Sequence, residues 1–193
     1  MKLIFSIESD WEGSAKKQSS ILPMLQCING VYPSIKYIFR TANTKDELRY
    51  CLRKFKQISR TNNDYCALFF SGHGSTGKVF FGEEPLTLLE LAEIANEVEE
   101  KLFNGHLVHF DSCSVVNDSE QIVKEFIKLT GAKLVSGFCN DVDFIESFAL
   151  EMIYIDYLNH SKTPYEAYKE VIKNHSELSK QTGFIAISKY KGL

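Results

Sequence analysis

The sequence predicts an α/β fold: a three-layer α/β/α sandwich with a mostly parallel sheet of about six strands and helices on both faces. Short, nearly continuous apolar runs alternate with longer amphipathic stretches along the 193 residues. Runs of this kind are typical of strands that helices cover on both sides. The chain shows no repeat, linker or low-complexity tract, so we expect a single domain over residues 1–193.

Six apolar runs are predicted as strands, because each has the length of a strand and ends at polar or turn-forming residues. They are residues 3–7, 35–39, 65–70, 106–110, 134–138 and 184–188, and the last is the candidate for an antiparallel strand. After the third run, residues 78–86 predict a small hairpin with Gly82 near its turn.

Five helices are predicted from their first residues, where Thr, Asn or Asp is followed three positions later by Glu. Such pairs form capping boxes, and apolar residues then recur at helical spacing. The pairs are Thr44/Glu47, Thr87/Glu90, Asn117/Glu120, Asp143/Glu146 and Thr163/Glu166. Gly131 is predicted to end the third helix, and the fifth is expected to extend to His175. Residues 15–27 are a weaker helix candidate, because Pro23 interrupts them.

Composition and charge exclude several classes of function. The net charge is -3 and the 22 basic residues are scattered, so the sequence offers no stripe for nucleic acid or an anionic membrane. No apolar run approaches the roughly 20 residues that a membrane span needs. Acidic residues follow the first apolar run at once, which indicates a strand rather than a signal peptide. The five cysteines form no CxxC pair, so free thiols and a cytoplasmic location are expected.

Two polar segments directly follow neighbouring predicted strands: SGHG at residues 71–74 and DSCS at residues 111–114. Because the carboxyl ends of parallel strands meet at one edge of a sheet, we expect His73 and Cys113 to lie close together. An imidazole beside a thiol takes its proton and later protonates the leaving amine. A backbone N–H of the glycines, together with that of Cys113, is placed to hold an oxyanion. The pair therefore predicts a cysteine-dependent hydrolase, and most simply a peptidase.

These segments resemble the motifs of the caspase-like cysteine peptidases of clan CD, which include caspases, metacaspases, legumain, clostripain, gingipain, separase and the bacterial CHAT domains. FSGHG at residues 70–74 is similar to the histidine motif, and DSCS is similar to the metacaspase and CHAT form of the cysteine motif. GFCND at 137–141 and YEA at 165–167 resemble later CHAT segments. The resemblance follows the element order over nearly the whole chain, but only the first two motifs are specific.

The resemblance implies a cysteine endopeptidase in which Cys113 attacks a peptide bond and His73 acts as acid and base, without a metal or cofactor. It implies an oxyanion hole at the backbone of Gly74 and Cys113, and an S1 pocket lined by Asp111. The loop that contains Asp10 and Trp11 would approach that pocket. An acidic pocket predicts cleavage of protein or peptide substrates after a basic residue.

Other roles stay open for the three residues that the resemblance places near the S1 pocket. Asp111 fits a turn or helix-terminal carboxylate equally well, Asp10 fits a solvated loop, and Trp11 fits a cap on the core.

The chain also departs from caspases in two respects. It lacks the Gln-Ala-Cys-Arg-Gly sequence, so cleavage after aspartate has no support. The stretch after Cys113 is too short for a cleavable linker, so activation by self-processing is not expected, and control by an activating partner protein or an effector is the alternative.

Three alternatives compete with the peptidase hypothesis. A catalytically inactive adaptor would share the fold without the chemistry. GHGSTGK at residues 72–78 matches a P-loop, but Val79 stands where a Mg²⁺-binding Ser or Thr is needed, and a β pattern follows instead of a helix. A zinc site of His106, His109 and Cys113 is disfavoured, because strand residues three apart point to opposite faces.

Overall fold

Strands and helices alternate along the chain in the computed structural model, which describes residues 3–11, 19–59, 65–117 and 120–188. The elements are β1 (Leu3–Glu8), α1 (Leu22–Val31), β2 (Lys36–Thr41), α2 (Lys45–Ser59), β3 (Cys66–Ser71), β4 (Gly74–Ser75), β5 (Lys78–Phe81), β6 (Glu84–Thr87), α3 (Leu88–Val98), β7 (Leu107–Asp111), a 3-10 turn (Val115–Asn117), α4 (Glu120–Thr130), β8 (Leu134–Phe138), α5 (Phe144–His160), α6 (Pro164–Asn174), α7 (Ser176–Thr182) and β9 (Phe184–Ser188).

The central sheet has six strands in the order β2-β1-β3-β7-β8-β9. All neighbours in it are parallel except β8 and β9, which are antiparallel. The predicted α/β/α sandwich with a mostly parallel sheet and an antiparallel last strand is therefore confirmed. The predicted hairpin is β5 and β6, which turn at Gly82 with φ 63° and gain β4 as a third strand.

Two apolar cores lie on the two faces of the sheet, because successive strand residues point to opposite sides. Phe5, Phe70 and Phe110 point to the face that α2, α3 and α4 cover. Residues one position away, such as Ile4 and Phe69, point to the face that α1, α5 and α6 cover. Both faces of the central strands are thus sealed, and their polar chemistry is confined to the strand ends and to a few buried groups.

Helix starts follow the predicted capping chemistry closely. Complete capping boxes open α3 at Thr87 and α6 at Thr163. The Asp143 carboxylate accepts two backbone N–H groups at the start of α5. At α2, the Thr44 hydroxyl accepts the Glu47 N–H at 3.2 Å, whereas the Glu47 carboxylate reaches one residue further back, to Asn43. Gly131 ends α4 in the left-handed conformation, φ 76°, as predicted.

Three helix boundaries differ from those predicted. α1 begins at Leu22, because a proline in the first turn loses no helical hydrogen bond, and it continues to Val31. Residues 15–18 of the earlier candidate lie outside the described residues. α4 begins at Glu120, after Asn117 has closed the 3-10 turn. His175 ends α6, and the short helix α7 follows, which periodicity alone did not separate from α6. No helix within the described ranges is long and apolar enough to cross a membrane.

Candidate active site

Strand register brings the two polar segments to one edge of the sheet. β3 and β7 are neighbours, and Ser71 at the end of one pairs with Asp111 at the end of the other. His73 and Cys113 therefore each follow a paired position by two residues. The Gly72 N–H donates to the Asp111 carbonyl at 3.2 Å, which continues the contact between the strands beyond the last paired residues.

This edge is also the point at which the chain changes its direction across the sheet. β2 lies on one side of β1, whereas β3, β7 and β8 follow on the other side. A crevice forms at the carboxyl ends of parallel strands where such a reversal occurs. Trp11 follows β1 and His73 follows β3, so the loops on the two sides of the reversal carry these rings.

Gly74 lies directly beside the cysteine segment. A Cβ atom at this position would lie 2.5 Å from the Cys113 carbonyl oxygen and 2.8 Å from Ser112 Cβ. Real Cβ atoms are not found so close to backbone, so only glycine fits without moving one of the segments. The backbone of Gly74 thus packs directly against that of Cys113. The oxyanion role of these two residues stays a prediction.

Cys113 is half-buried, and its sulfur faces the loop between β8 and α5. The Val142 N–H donates to Sγ at 3.5 Å, and Sγ donates to the Val142 carbonyl at 3.8 Å. Within the described part of the chain, these backbone groups are the hydrogen-bond partners of the thiol, and His73 is not among them. The sulfur and the imidazole share one edge of the molecule without a direct hydrogen bond.

His73 is exposed, and its ring lies beside an aromatic wall. The ring centroids of Trp11 and His73 are 6.3 Å apart, and those of Trp11 and Phe144 are 5.5 Å apart. The Trp11 indole N–H donates to the Glu8 carboxylate at 3.0 Å, which fixes the ring in place. Asp10 is exposed, and its backbone N–H donates to Asn43 Oδ1 at 2.9 Å. Trp11 is therefore next to the candidate dyad, and Asp10 lies one residue before it.

Asp111 is buried beneath the edge rather than open to it, with 3% of its surface exposed. Its side chain points toward α5, where Glu151 is also buried. Burial, followed by the neighbouring Glu151 carboxyl, raises the pKa of Asp111 well above its ordinary value. One oxygen of each carboxyl group, Asp111 Oδ2 and Glu151 Oε2, has no hydrogen-bond partner among the described residues. The role of Asp111 in an acidic pocket stays a prediction.

His109 completes this buried cluster. Its Nδ1 lies 2.9 Å from Ser136 Oγ, and its Nε2 lies 2.8 Å from Glu151 Oε1. Burial lowers the pKa of His109 to about 4 and raises the pKa of Glu151 to about 8, so loss of solvation outweighs the attraction that an ion pair would provide. Burial therefore shifts the pKa of both partners of this hydrogen bond toward their neutral forms.

The alternatives from the sequence also have definite places in the structure. His106 packs against Phe55 on one face of the sheet and His109 against Phe69 on the other, as expected from their spacing. The Cys66 N–H donates to His106 Nδ1 at 3.0 Å, so this ring nitrogen is occupied by backbone. Lys78 begins the strand β5, so the GHGSTGK segment lacks the helix start on which a P-loop depends.

The sequence alone indicates no role for Ser114, Asp141 and Val142 at the edge, or for Glu151 beneath it. Asp141 lies within the GFCND segment, but neither spacing nor periodicity connects it with the cysteine. Ser114 has φ 56°, a left-handed conformation that cannot be predicted from the presence of a serine in the sequence. Glu151 is one acidic residue in an otherwise apolar stretch of α5, and that isolation was the available signal.

The fold and the edge together define an α/β sandwich protein with a histidine and a cysteine at the carboxyl ends of adjacent central strands. The chain belongs to the DUF6642 family, a family of unknown function, which it matches over residues 1–186. A search of curated proteins finds no match to this chain.

Proposed function

We propose that this protein is a caspase-like cysteine endopeptidase in which Cys113 is the nucleophile and His73 is the acid and base. The observation that carries the proposal is the pairing of Ser71 with Asp111, since it sends both segments out of the same edge. The tight contact between Gly74 and the Cys113 carbonyl supports it further, because it fixes the two segments relative to each other.

In the proposed reaction, His73 takes the proton of the Cys113 thiol, and the thiolate attacks the carbonyl carbon of the scissile peptide bond. The oxyanion that forms is held by the backbone N–H groups of Gly74 and Cys113. The C–N bond then breaks as His73 protonates the leaving amine. Water then attacks the thioester with His73 accepting its proton, the C–S bond breaks, and His73 returns that proton to the sulfur as the new carboxyl product leaves.

For this reaction the His73 imidazole must approach the Cys113 sulfur. In this structure the sulfur is hydrogen-bonded to the backbone of Val142 instead. Catalytic hydrogen bonds are often long before substrate binds and shorten in the complex. His73 is exposed, so its ring is free to turn toward Cys113 when substrate or an activating partner protein occupies the edge. The geometry is thus consistent with the partner-dependent control that the sequence suggested.

The proposed substrates are proteins or peptides with a basic residue before the cleaved bond. Asp111 and Glu151 place two neighbouring carboxyl groups below the edge. A guanidinium or ammonium group that entered there would favour the ionised form of both carboxyls, and the pair would lose the protons that burial imposes. The five cysteines are all free thiols, which supports the proposed cytoplasmic location.

The second candidate is an inactive adaptor on the same fold. The observation that favours it is the contact of the Cys113 sulfur with Val142 instead of His73. An adaptor would use the crevice to bind a peptide and would not cleave it. The two candidates differ in whether Cys113 and His73 are needed for the loss of a peptide bond.

A fluorogenic peptide library that varies the residue before the cleaved bond tests the proposal. We expect cleavage after Lys or Arg, lost about 10³-fold or more in Cys113→Ala and His73→Ala, because the two groups act as one unit. Cys139→Ala is the matched control, since Cys139 is another half-exposed free thiol at this edge, and it should retain activity. Asp111→Asn should weaken the preference for basic residues.

Full activity in His73→Ala would refute the dyad. If the wild type cleaves nothing, and a covalent thiol probe labels it no faster at Cys113 than at Cys139, the adaptor is the better description.

A further inference from the structure

Ser114, directly after the candidate nucleophile, has φ 56°, one of two non-glycine residues with positive φ among those described. The other is Lys101, with φ 54°, in the turn after α3. L-residues disfavour this region, so a serine stays in it only when its surroundings hold it there. The conformation turns the chain directly after Cys113, and the contacts that hold Ser114 therefore also hold the backbone next to the cysteine.

Two hydrogen bonds to the β8–α5 loop, residues 139–143, hold Ser114. Its hydroxyl donates to Asp141 Oδ1 at 2.7 Å, and its N–H donates to the Asn140 carbonyl at 3.0 Å. Ser114 is 9% exposed, so the hydrogen bond from its hydroxyl to Asp141 is shielded from water at the serine end. The same loop presents the Val142 N–H to the Cys113 sulfur.

The loop itself is fixed at both ends. The Cys139 N–H donates to the Gly183 carbonyl at 3.0 Å, and the Asn140 side chain donates to the Gln181 carbonyl at 3.3 Å. Asp143 caps α5 directly after Val142. The loop is therefore held in place, and it contacts both Ser114 and Cys113. Asp141 and Asn140 accept hydrogen bonds from Ser114, and the Val142 N–H donates to the Cys113 sulfur.

We propose that Asp141 and Ser114 are positioning residues, which hold Cys113 so that its sulfur faces the Val142 N–H at the carboxyl ends of the central strands. The sulfur contacts both the N–H and the carbonyl of Val142, so this loop fixes where the thiol points. The Ser114–Asp141 bond therefore acts on the reactivity of the sulfur through the backbone, without touching the substrate. For turnover this inference rests on the proposed peptidase function, but the reactivity of the thiol does not depend on it.

The test is the rate at which iodoacetamide alkylates Cys113, followed by peptide mass spectrometry as a function of pH, with melting temperatures in parallel. Ser114→Gly removes the hydroxyl but favours the left-handed conformation, so we expect it to fold with a melting temperature close to that of the wild type. Asp141→Ala removes the acceptor. Each should slow alkylation at neutral pH about tenfold.

The double variant Ser114→Gly/Asp141→Ala should react no more slowly than either single variant, because both changes remove one bond. Asp141→Asn keeps an acceptor oxygen while removing the charge, and it should react like the wild type. Lys101→Gly relaxes the other left-handed residue far from Cys113, and it should change the melting temperature without changing alkylation. In peptide cleavage, the two single variants should lower kcat about tenfold or more and change KM little.

Wild-type alkylation in Ser114→Gly and Asp141→Ala, or additive losses in the double variant, would overturn the inference. So would a loss in Asp141→Asn equal to that in Asp141→Ala, because the effect would then come from charge rather than from the bond. If no protein in the series cleaves peptides, the proposed function fails, and the alkylation rates still decide whether Asp141 and Ser114 position the sulfur.

Discussion

At the scale of single residues, the titratable groups with the largest pKa shifts include three that are buried together beneath the candidate site. Asp111, Glu151 and His109 are buried between the sheet and α5, and the pKa of each is shifted toward the neutral form. The segment that carries Cys113 begins at Asp111, so one member of this cluster lies two residues before the candidate nucleophile.

Glu151 makes the stability of the protein depend on pH. Its pKa is 4.5 ordinarily and about 8 in the fold, so the folded state holds a proton that the unfolded state has lost. The stability from this group is complete below pH 4.5 and is lost as the pH rises through 8. His109 acts oppositely, because its pKa falls from 6.5 to about 4 on folding, and its contribution is lost as the pH falls below 6.5.

Above pH 6.5 the buried carboxyls therefore dominate, and we expect the melting temperature to fall from pH 6.5 to pH 8.5. The loss should be about 1–2 kcal/mol in the free energy of unfolding. Glu151→Gln should remove much of this slope, whereas Glu146→Gln, on the same helix and half-buried, should keep it. Calorimetry over the pH series measures the slope, and an unchanged slope in Glu151→Gln would contradict the assigned protonation.

At the scale of elements, the site depends on a backbone contact between the β3–β4 and β7–α4 segments. The three-stranded hairpin sheet begins at Gly74, and its Gly77 N–H donates to the Val115 carbonyl at 3.2 Å. The hairpin turn at Gly82 contacts the loop after β1, where Ser9 Oγ accepts the Gly82 N–H at 2.8 Å. The hairpin therefore braces the histidine segment against the segments on both sides.

Gly74→Ala should separate the histidine and cysteine segments, because its Cβ would lie 2.5 Å from a backbone oxygen that cannot rotate away. We expect a loss of about 1–3 kcal/mol in stability and a fall of about 100-fold in peptide cleavage. Gly30→Ala in α1 is the control, since nothing lies within 4 Å of its Cβ, and it should stabilise the protein by about 0.5–1 kcal/mol. Urea unfolding and cleavage rates measure both, and wild-type cleavage by Gly74→Ala would disprove the need for this contact.

At the scale of the whole molecule, the central position of β3 and β7 makes the edge rigid. Phe70 and Phe110 stand at paired positions in the two strands, and their rings stack with centroids 5.6 Å apart. Phe110 also packs against Phe126 of α4 at 5.9 Å. Phe70 and Phe110 are the last residues before the histidine and cysteine segments, so the aromatic core reaches the candidate site directly. The site therefore lies at the end of fully buried strands.

Phe110→Ala should cost about 3–5 kcal/mol in the free energy of unfolding, because the cavity lies between two other rings. Tyr50→Ala, at a side chain that is 48% exposed, should change stability by no more than about 0.5 kcal/mol. Chemical denaturation compares the two. Equal small losses would show that the aromatic stack adds little to the core.

The six strands, the hairpin and most helix starts were predictable because they depend on local signals. Apolar runs give a strand wherever both faces are buried, and Thr87 and Thr163 cap their helices through contacts within four residues. The boundary between α6 and α7 was not predictable, because the break at His175 interrupts an otherwise helical pattern without a proline or glycine. Helix ends of this kind are set by packing on neighbouring elements.

The sequence by itself determined the α/β sandwich and placed His73 and Cys113 at the ends of two strands, because periodicity and strand ends are written in neighbouring residues. Only the tertiary structure decided that Asp111 is enclosed with Glu151, that the sulfur faces Val142, and that Asp141 grips Ser114. The residues in these contacts are 27 to 40 positions apart in the sequence. They meet only because separate elements pack against each other, and that packing is not encoded in neighbouring residues.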